Sequence, residues 1–239
     1  LPSAPMSPEG SSYLSVLYNG MVQPFTIFPV KGVIWYQGEA NVGRARQYSL
    51  LFQSLIADWR KQWKQELPFY FVQLANYLRS QEIQPDSKWA ALREAQSDAL
   101  SMEGTGMVSA IDLGVAHDIH PKNKQEVGRR LALLSLANTY QRGTYDVPAF
   151  LEYRISGNKL ILSFDCEVKT ATGEPKGFII AGPDQVFYQA TATIQGKEVI
   201  LESPEVEIPI AARYGWADNP ECNLYGTAGL PVAPFRTDK

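Results

Sequence analysis

Along the first 140 residues, apolar positions alternate between two spacings. Short unbroken apolar runs at residues 31–36 (KGVIWY), 69–74 (FYFVQL) and 107–111 read as buried strands. Between them the spacing changes to steps of three and four. From about residue 44 to 65 the apolar residues are Tyr48, Leu51, Phe52, Leu55, Ile56, Trp59 and Trp63, one face of a helix that Pro68 closes. Residues 89–100 repeat the pattern with Leu92, Ala95, Ala99 and Leu100. Residues 123–140 repeat it with Val127, Leu131, Leu134 and either Leu136 or Ala137, and Pro121 suits the entry to that helix. Strands that alternate with helices predict a parallel sheet covered on both faces.

After Gly143 the helical period disappears. Short stretches at 160–162, 177–180, 186–188, 190–194 and 199–201 are separated by Gly, Pro, Asn and Asp, which predicts antiparallel strands in a sandwich-like layer. The change falls near residues 143–148. It divides the chain into an α/β portion, residues 1–145, and a β module, residues 146–239.

The length of 239 residues suits one large domain or two small ones, at roughly 150 residues per domain. An apolar content of 45% with 20% charged residues excludes a disordered chain. Lys+Arg number 22 against 25 Asp+Glu, and the net charge of −3 carries no basic stripe for nucleic acid or an anionic membrane. No apolar run approaches the roughly 18 residues of a membrane span. Two histidines are too few for a multi-histidine metal site. Residues 1–12 (LPSAPMSPEGSS) have neither the basic nor the apolar region of a signal peptide, and are expected to be an interior stretch of a longer chain.

Three places could carry chemistry. Glu39 follows a strand end in WYQGEAN, where ligands of parallel sheets bind; Gln37 offers an amide donor beside it. The residues alone leave a solvated turn carboxylate equally open. His120 follows the third strand in AHDIHP, with Asp118 two residues and His117 three residues before it; a general base and a plain loop histidine both fit. Arg93, in REAQ on a helix, either clamps a substrate carboxylate or serves as an ion pair or structural anchor. Asn41 is a second candidate for holding substrate. Ser11 and Ser12 follow Gly10, but no apolar strand precedes them, so they are rejected as a nucleophile turn.

The blocks PSAPMSPEGSSYLSVLYNGMVQPF, KGVIWYQGEANV, REAQ and DIHPKNKQEVGRRLAL resemble the later sequence blocks of the sialate O-acetylesterase family, within the wider SGNH (GDSL-like) hydrolases. GFIIAGPDQVFYQATATIQGKEV, ARYGWADNP and NLYGTAGLPVAPFRTD resemble its C-terminal β module. The resemblance implies an SGNH-type, flavodoxin-like three-layer α/β sandwich that lacks its N-terminal strand here, followed by a small antiparallel β module. It implies a carboxylesterase that removes O-acetyl groups from sialic acid by a serine mechanism, without metal or organic cofactor. His120 matches the catalytic base. Gln37 matches a donor to the oxyanion, a contact worth ~3 kcal/mol in the transition state. Glu39, placed ahead of Asp118, matches the acid that orients the histidine.

The sequence departs from the family in one block. The family's nucleophile sits in a GQSN block on the first strand, and no such block occurs here. The chain is therefore expected to be inactive alone. The open sheet edge is expected to be covered by the N-terminal part of the same enzyme, or by another chain. Acetylated xylan is the rival substrate, and a glycan-binding module that has lost its nucleophile, or an inert fragment, the rival role. The resemblance suggests a periplasmic or secreted protein, in which Cys166 and Cys222 could form a bridge.

Overall fold

The computed structural model describes Tyr13 and residues 15–238. Ser11, Ser12 and the rest of the 1–12 stretch lie outside the described residues. Three parallel strands, β1 (Val33–Trp35), β2 (Phe69–Gln73) and β3 (Thr105–Ser109), form a sheet in the order β1-β2-β3. The helices α1 (Ala45–Trp63), α2 (Lys88–Ser97) and α3 (Lys124–Asn138) alternate with them.

All five residues of β2 are buried, and their alternation builds two cores. Phe69 and Phe71 join Tyr48, Phe52 and Ile56 of α1 and Trp89 and Leu92 of α2. Tyr70 and Val72 face the other way, onto Val127, Leu131 and Leu134 of α3. Helices thus cover both faces, as the alternating spacings predict.

The helix ends and faces differ in detail. Helix α1 stops at Trp63, not at Pro68, because Lys64 turns left-handed (φ +52°) and its N–H bonds back to the Arg60 and Lys61 carbonyls. Leu51, Leu100 and Leu136, expected inside, are exposed. Arg60 takes an inward place on α1 instead, donating to the carbonyls of Leu67 and Glu103. Helix α3 begins after Asn123, whose side chain caps the Glu126 N–H; Pro121 lies outside the helix.

The second half is antiparallel. Strands β4 (Phe150–Ser156), β5 (Lys159–Phe164), β9 (Thr191–Gln195) and β10 (Glu198–Glu202) form one sheet, ordered β4-β5-β10-β9. Strands β7 (Phe178–Ala181), β8 (Phe187–Gln189), β11 (Ala211–Tyr214) and β13 (Phe235–Arg236) form a second, ordered β13-β11-β7-β8. The pair β6 (Val168–Thr170) and β12 (Leu224–Gly226) stands apart. Leu160, Leu162, Val199 and Leu201 of the first sheet pack onto Phe178, Ile180, Ala212 and Tyr214 of the second. The bridge that the sequence leaves open is not formed: Cys166 and Cys222 are both free thiols. Cys222 Sγ is instead enclosed by Gly177, Gly215 and Tyr214, and burial pushes its thiol up to about 12.

Candidate active site

The end of β1 carries Tyr36, Gln37, Gly38 and Glu39. Gly38 is buried, and a Cβ there would lie 3.2 Å from Gln96 Nε2 and 3.3 Å from Leu92 Cδ2, so glycine lets the turn lie flat on α2. The Gln37 carbonyl accepts from Tyr48 Oη (3.1 Å) and Gln96 Nε2 (3.2 Å). Gln96 is fully buried; it also donates to the Val72 carbonyl and accepts from the Leu74 N–H, so one side chain ties the ends of β1 and β2 together. Nε2 of Gln37 donates to Asn41 Oδ1 (2.9 Å). Asn41, read from sequence as substrate-binding, here holds the Gln37 amide and leaves its second N–H free to point elsewhere. Glu39 opens a 3-10 turn (Glu39–Arg44), half-buried and with no ion pair among the described residues. Burial, and secondarily the Glu39 charge, push the Tyr36 phenol up to about 12.

The second block reaches the same edge of the sheet. Ile119 packs against the core cluster that Tyr36, Val42 and Tyr77 also flank. Lys124 Nζ lies 4.6 Å from the Tyr36 ring centroid, a cation–π contact that joins the start of α3 to the end of β1. The His120 side chain is 85% exposed. Asp118 Oδ1 is 3.8 Å from His120 Nδ1, beyond hydrogen-bond range, and accepts instead from the His120 backbone N–H (2.9 Å). That is an Asx turn, which spends the oxygen on shaping the loop. No other carboxylate lies within 4.0 Å of the imidazole among the described residues, so Glu39, placed first from sequence, does not touch it in this arrangement.

Behind the histidine loop, Asp112 takes a bidentate pair from buried Arg130 (2.7 and 2.8 Å) and a hydrogen bond from Tyr225 Oη (3.0 Å). Arg130 also donates to Glu126 and to the Ser109 carbonyl, pinning the end of β3. Hydrogen bonds from Arg129 and then Arg130 hold the Glu126 carboxyl down at about 2. A depressed carboxyl adds stability that is fully present above its unfolded value of 4.5 and is lost as pH falls towards 2. Glu126→Gln is expected to flatten the melting temperature against pH over that window, which an acid series of thermal melts reads directly.

Arg93 is not available to substrate. It is fully buried. Nε donates to the Leu74 carbonyl (2.9 Å), Nη1 to Ala217 (2.7 Å), and Nη2 to Ala75 and Asp218 (2.8 Å each). Of the readings open from sequence, the structural anchor is the one the geometry takes.

The family model "Carbohydrate esterase, sialic acid-specific acetylesterase" matches residues 8–137, more than half of the chain. The chain belongs to this family. The sialate O-acetylesterase of Mus musculus is 30% identical over 95% of this chain, and that of Homo sapiens 28% over 96%. The crystal structure of a carbohydrate acetylesterase from Xanthomonas citri superposes with a TM-score of 0.88 at 44% identity, over 93% of this chain. The chain spans about half the length of these relatives: 48%, 50% and 54% respectively.

Three supporting residues of the site, Gln96, Asp112 and Asn76, are not marked by the sequence. Gln96 lies one turn after Leu92, on the helix face turned to the strand ends, and that spacing is the signal available in the sequence. Asp112 closes the third strand as a loop carboxylate ordinarily would, and nothing local announces its pairing with Arg130. Asn76 is one of many loop amides.

Proposed function

We propose that this chain is the carboxyl-terminal part of a serine-dependent O-acetylesterase acting on O-acetylated sialic acid. The observation that carries the reading is that both blocks flank one core at the carboxyl edge of the parallel sheet: Tyr36 of WYQGE and Ile119 of DIHP pack against the same cluster, and Lys124, four residues after His120, lies over the Tyr36 ring. In this reading residues 1–145 belong to an SGNH-type α/β domain and residues 146–239 to its β module. The missing strand pairs with the outer edge of β1 and brings the serine of a GQSN block. Two features of β1 and the residue that follows it support such a neighbour. Ile34, at mid-strand, is 67% exposed, and the Tyr36 hydroxyl is buried with no hydrogen-bond partner among the described residues.

The chemistry follows from the side chains. The serine oxygen attacks the acetyl carbonyl carbon while His120 takes its proton. The free N–H of Gln37 donates to the oxyanion. As the C–O bond to the sugar breaks, His120 gives the proton to the departing sugar oxygen, which leaves as a hydroxyl, and then takes a proton from the water that attacks the acetyl-enzyme. Glu39 orients the imidazole once the site is complete, because its carboxylate has no ion pair among the described residues whereas Oδ1 of Asp118 already accepts the bond of its turn. Catalytic contacts often close only once substrate and the complete site are present.

The test compares hydrolysis of p-nitrophenyl acetate and O-acetylated sialic acid by this chain and by a chain extended to the relatives' length. The extended chain is expected to hydrolyse both, and this chain neither. No hydrolysis by a folded extended chain would overturn the reading in favour of glycan binding; preference for acetylated xylan would correct the substrate. In the extended chain, Glu39→Gln is expected to lower kcat by about 100-fold and Asp118→Asn by less than about 10-fold. The reverse order would give the orienting role to Asp118.

A further inference from the structure

We propose that the antiparallel half is a working part of the catalytic site: Asn219, through Asn76 and Leu78, positions the loop that carries His120. The inference rests on the reading of His120 as the base. The exposed imidazole does not place itself, so its position is set by the path of residues 113–120.

Two hydrogen bonds tie that loop to the segment after β2. Asn76 Oδ1 accepts from the Gly114 N–H (2.7 Å), and the Leu78 N–H donates to the Ala116 carbonyl (3.1 Å). At Gly114 the approach is so close that a Cβ would fall 1.8 Å from the Asn76 carbonyl oxygen. The other side of residues 76–78 is held by the antiparallel half. Asn76 Nδ2 donates to Asn219 Oδ1 (2.6 Å), Asn219 Nδ2 donates to the Leu78 carbonyl (2.6 Å), and the Tyr77 N–H donates to the Asp218 carbonyl (3.1 Å). Residues 76–78 are thus a strip between the histidine loop and residues 218–219.

Leu78 shows that the strip is held under strain. Its φ is +74°, a left-handed conformation that brings the leucine Cβ close to the following carbonyl oxygen. Its N–H is spent on the histidine loop and its carbonyl on Asn219. The far anchor is rigid: the Asp218 carboxylate accepts from Ser87 Oγ (2.6 Å) and Gln84 Nε2 (2.7 Å), and its carbonyl from Arg93. Replacing Asn219 therefore removes both bonds that its side chain makes to the strip, leaves only the Tyr77 N–H to Asp218 carbonyl bond on that side among the described residues, and lets residues 114–116 move with the strip. Displacement of a base by about 1 Å costs on the order of 100-fold in rate.

The experiment uses the protein extended to its relatives' length, with Asn219→Ala and Asn219→Asp. Asn219→Ala is expected to lower kcat for acetyl-ester hydrolysis by about 10- to 100-fold, with KM within about twofold and the shape of the kcat–pH profile unchanged. Asn219→Asp keeps the acceptor for Asn76 and loses the donor to Leu78, so it falls between. A folded Asn219→Ala protein with kcat within about twofold of the parent overturns the proposal. So does a loss of activity that only follows the loss of folded protein in thermal melts. Failure of the underlying reading looks different: His120→Ala would then retain the parent's activity.

Discussion

Replacing His120 by alanine is expected to lower kcat for acetyl-ester hydrolysis by about 10⁴-fold in the protein extended to its relatives' length. The reason is the division of labour at the site. A serine hydroxyl is a poor nucleophile until a base takes its proton, and the same group must then protonate the departing sugar oxygen and activate water. Gln37 is built in differently. Its carbonyl is anchored by Tyr48 and Gln96 and its amide by Asn41, so the donor that the proposed mechanism assigns to the oxyanion is expected to survive loss of the imidazole. Residual catalysis from that donor and from binding is expected to persist, with KM little changed. His117, exposed and three residues earlier, is the control: His117→Ala is expected to keep kcat within about twofold. Equal losses for both histidines, or none for His120, would remove the base from the mechanism. Double replacement of His120 and the serine is expected to cost no more than either alone, because the two act as a unit.

The alternation of strands and helices was legible because the period of burial changes along the chain. Phe69 and Phe71 against Tyr70 and Val72 feed two cores, and Tyr48, Phe52 and Ile56 repeat on one helix face. What was not legible depended on partners remote in sequence. Leu51 looks like an inward residue by spacing, yet the buried stripe runs in steps of four through Tyr48, Phe52, Ile56 and Arg60, where the carbonyls of Leu67 and Glu103 receive the guanidinium, and Leu51 is left outside it. Strand β4 alternates Leu151, Tyr153 and Ile155 with Glu152 and Arg154, but its apolar row is exposed and follows a bulge, so burial did not mark it. Strand β11 is buried along its whole length and begins with two alanines, residues depleted in strands. The WYQGE and DIHP blocks stood out because each combines a strand end, a turn and a titratable group. Asn76 and Asn219 did not, being 143 residues apart and ordinary loop amides until the two halves meet.

That meeting is also where the molecule is most exposed to a single change. Arg93→Ala is expected to destabilise the protein by about 3–5 kcal/mol, more than loss of a surface ion pair by several-fold. Burial pushes the guanidinium down to about 10, so it remains charged at neutral pH although fully enclosed. Its charge is balanced chiefly by the carbonyls of Leu74, Ala75, Ala217 and Asp218, with the Asp218 carboxylate acting only at longer range. This separates it from a buried ion pair, whose two members can be replaced together by apolar groups with little loss. Carbonyls cannot be replaced. Arg93→Met fills similar space but strands the same acceptors, and is expected to lose nearly as much as Arg93→Ala. Arg93→Lys keeps the charge, yet an ammonium offers three donors from one point and does not match a fork that spans residues 74–75 and 217–218. Urea unfolding of the three variants measures the order Lys, then Met and Ala, in rising cost. A loss below about 1 kcal/mol for Arg93→Ala would mean that water replaces the guanidinium at the seam. The seam would then be hydrated rather than sealed. A full loss would mean that the Arg93 fork is a sealed part of the seam between the parallel sheet and the antiparallel half, beside the Arg236–Glu94 pair and the Arg213 bond to the Pro85 carbonyl, the condition under which Asn219 can hold Asn76 in register with the histidine loop.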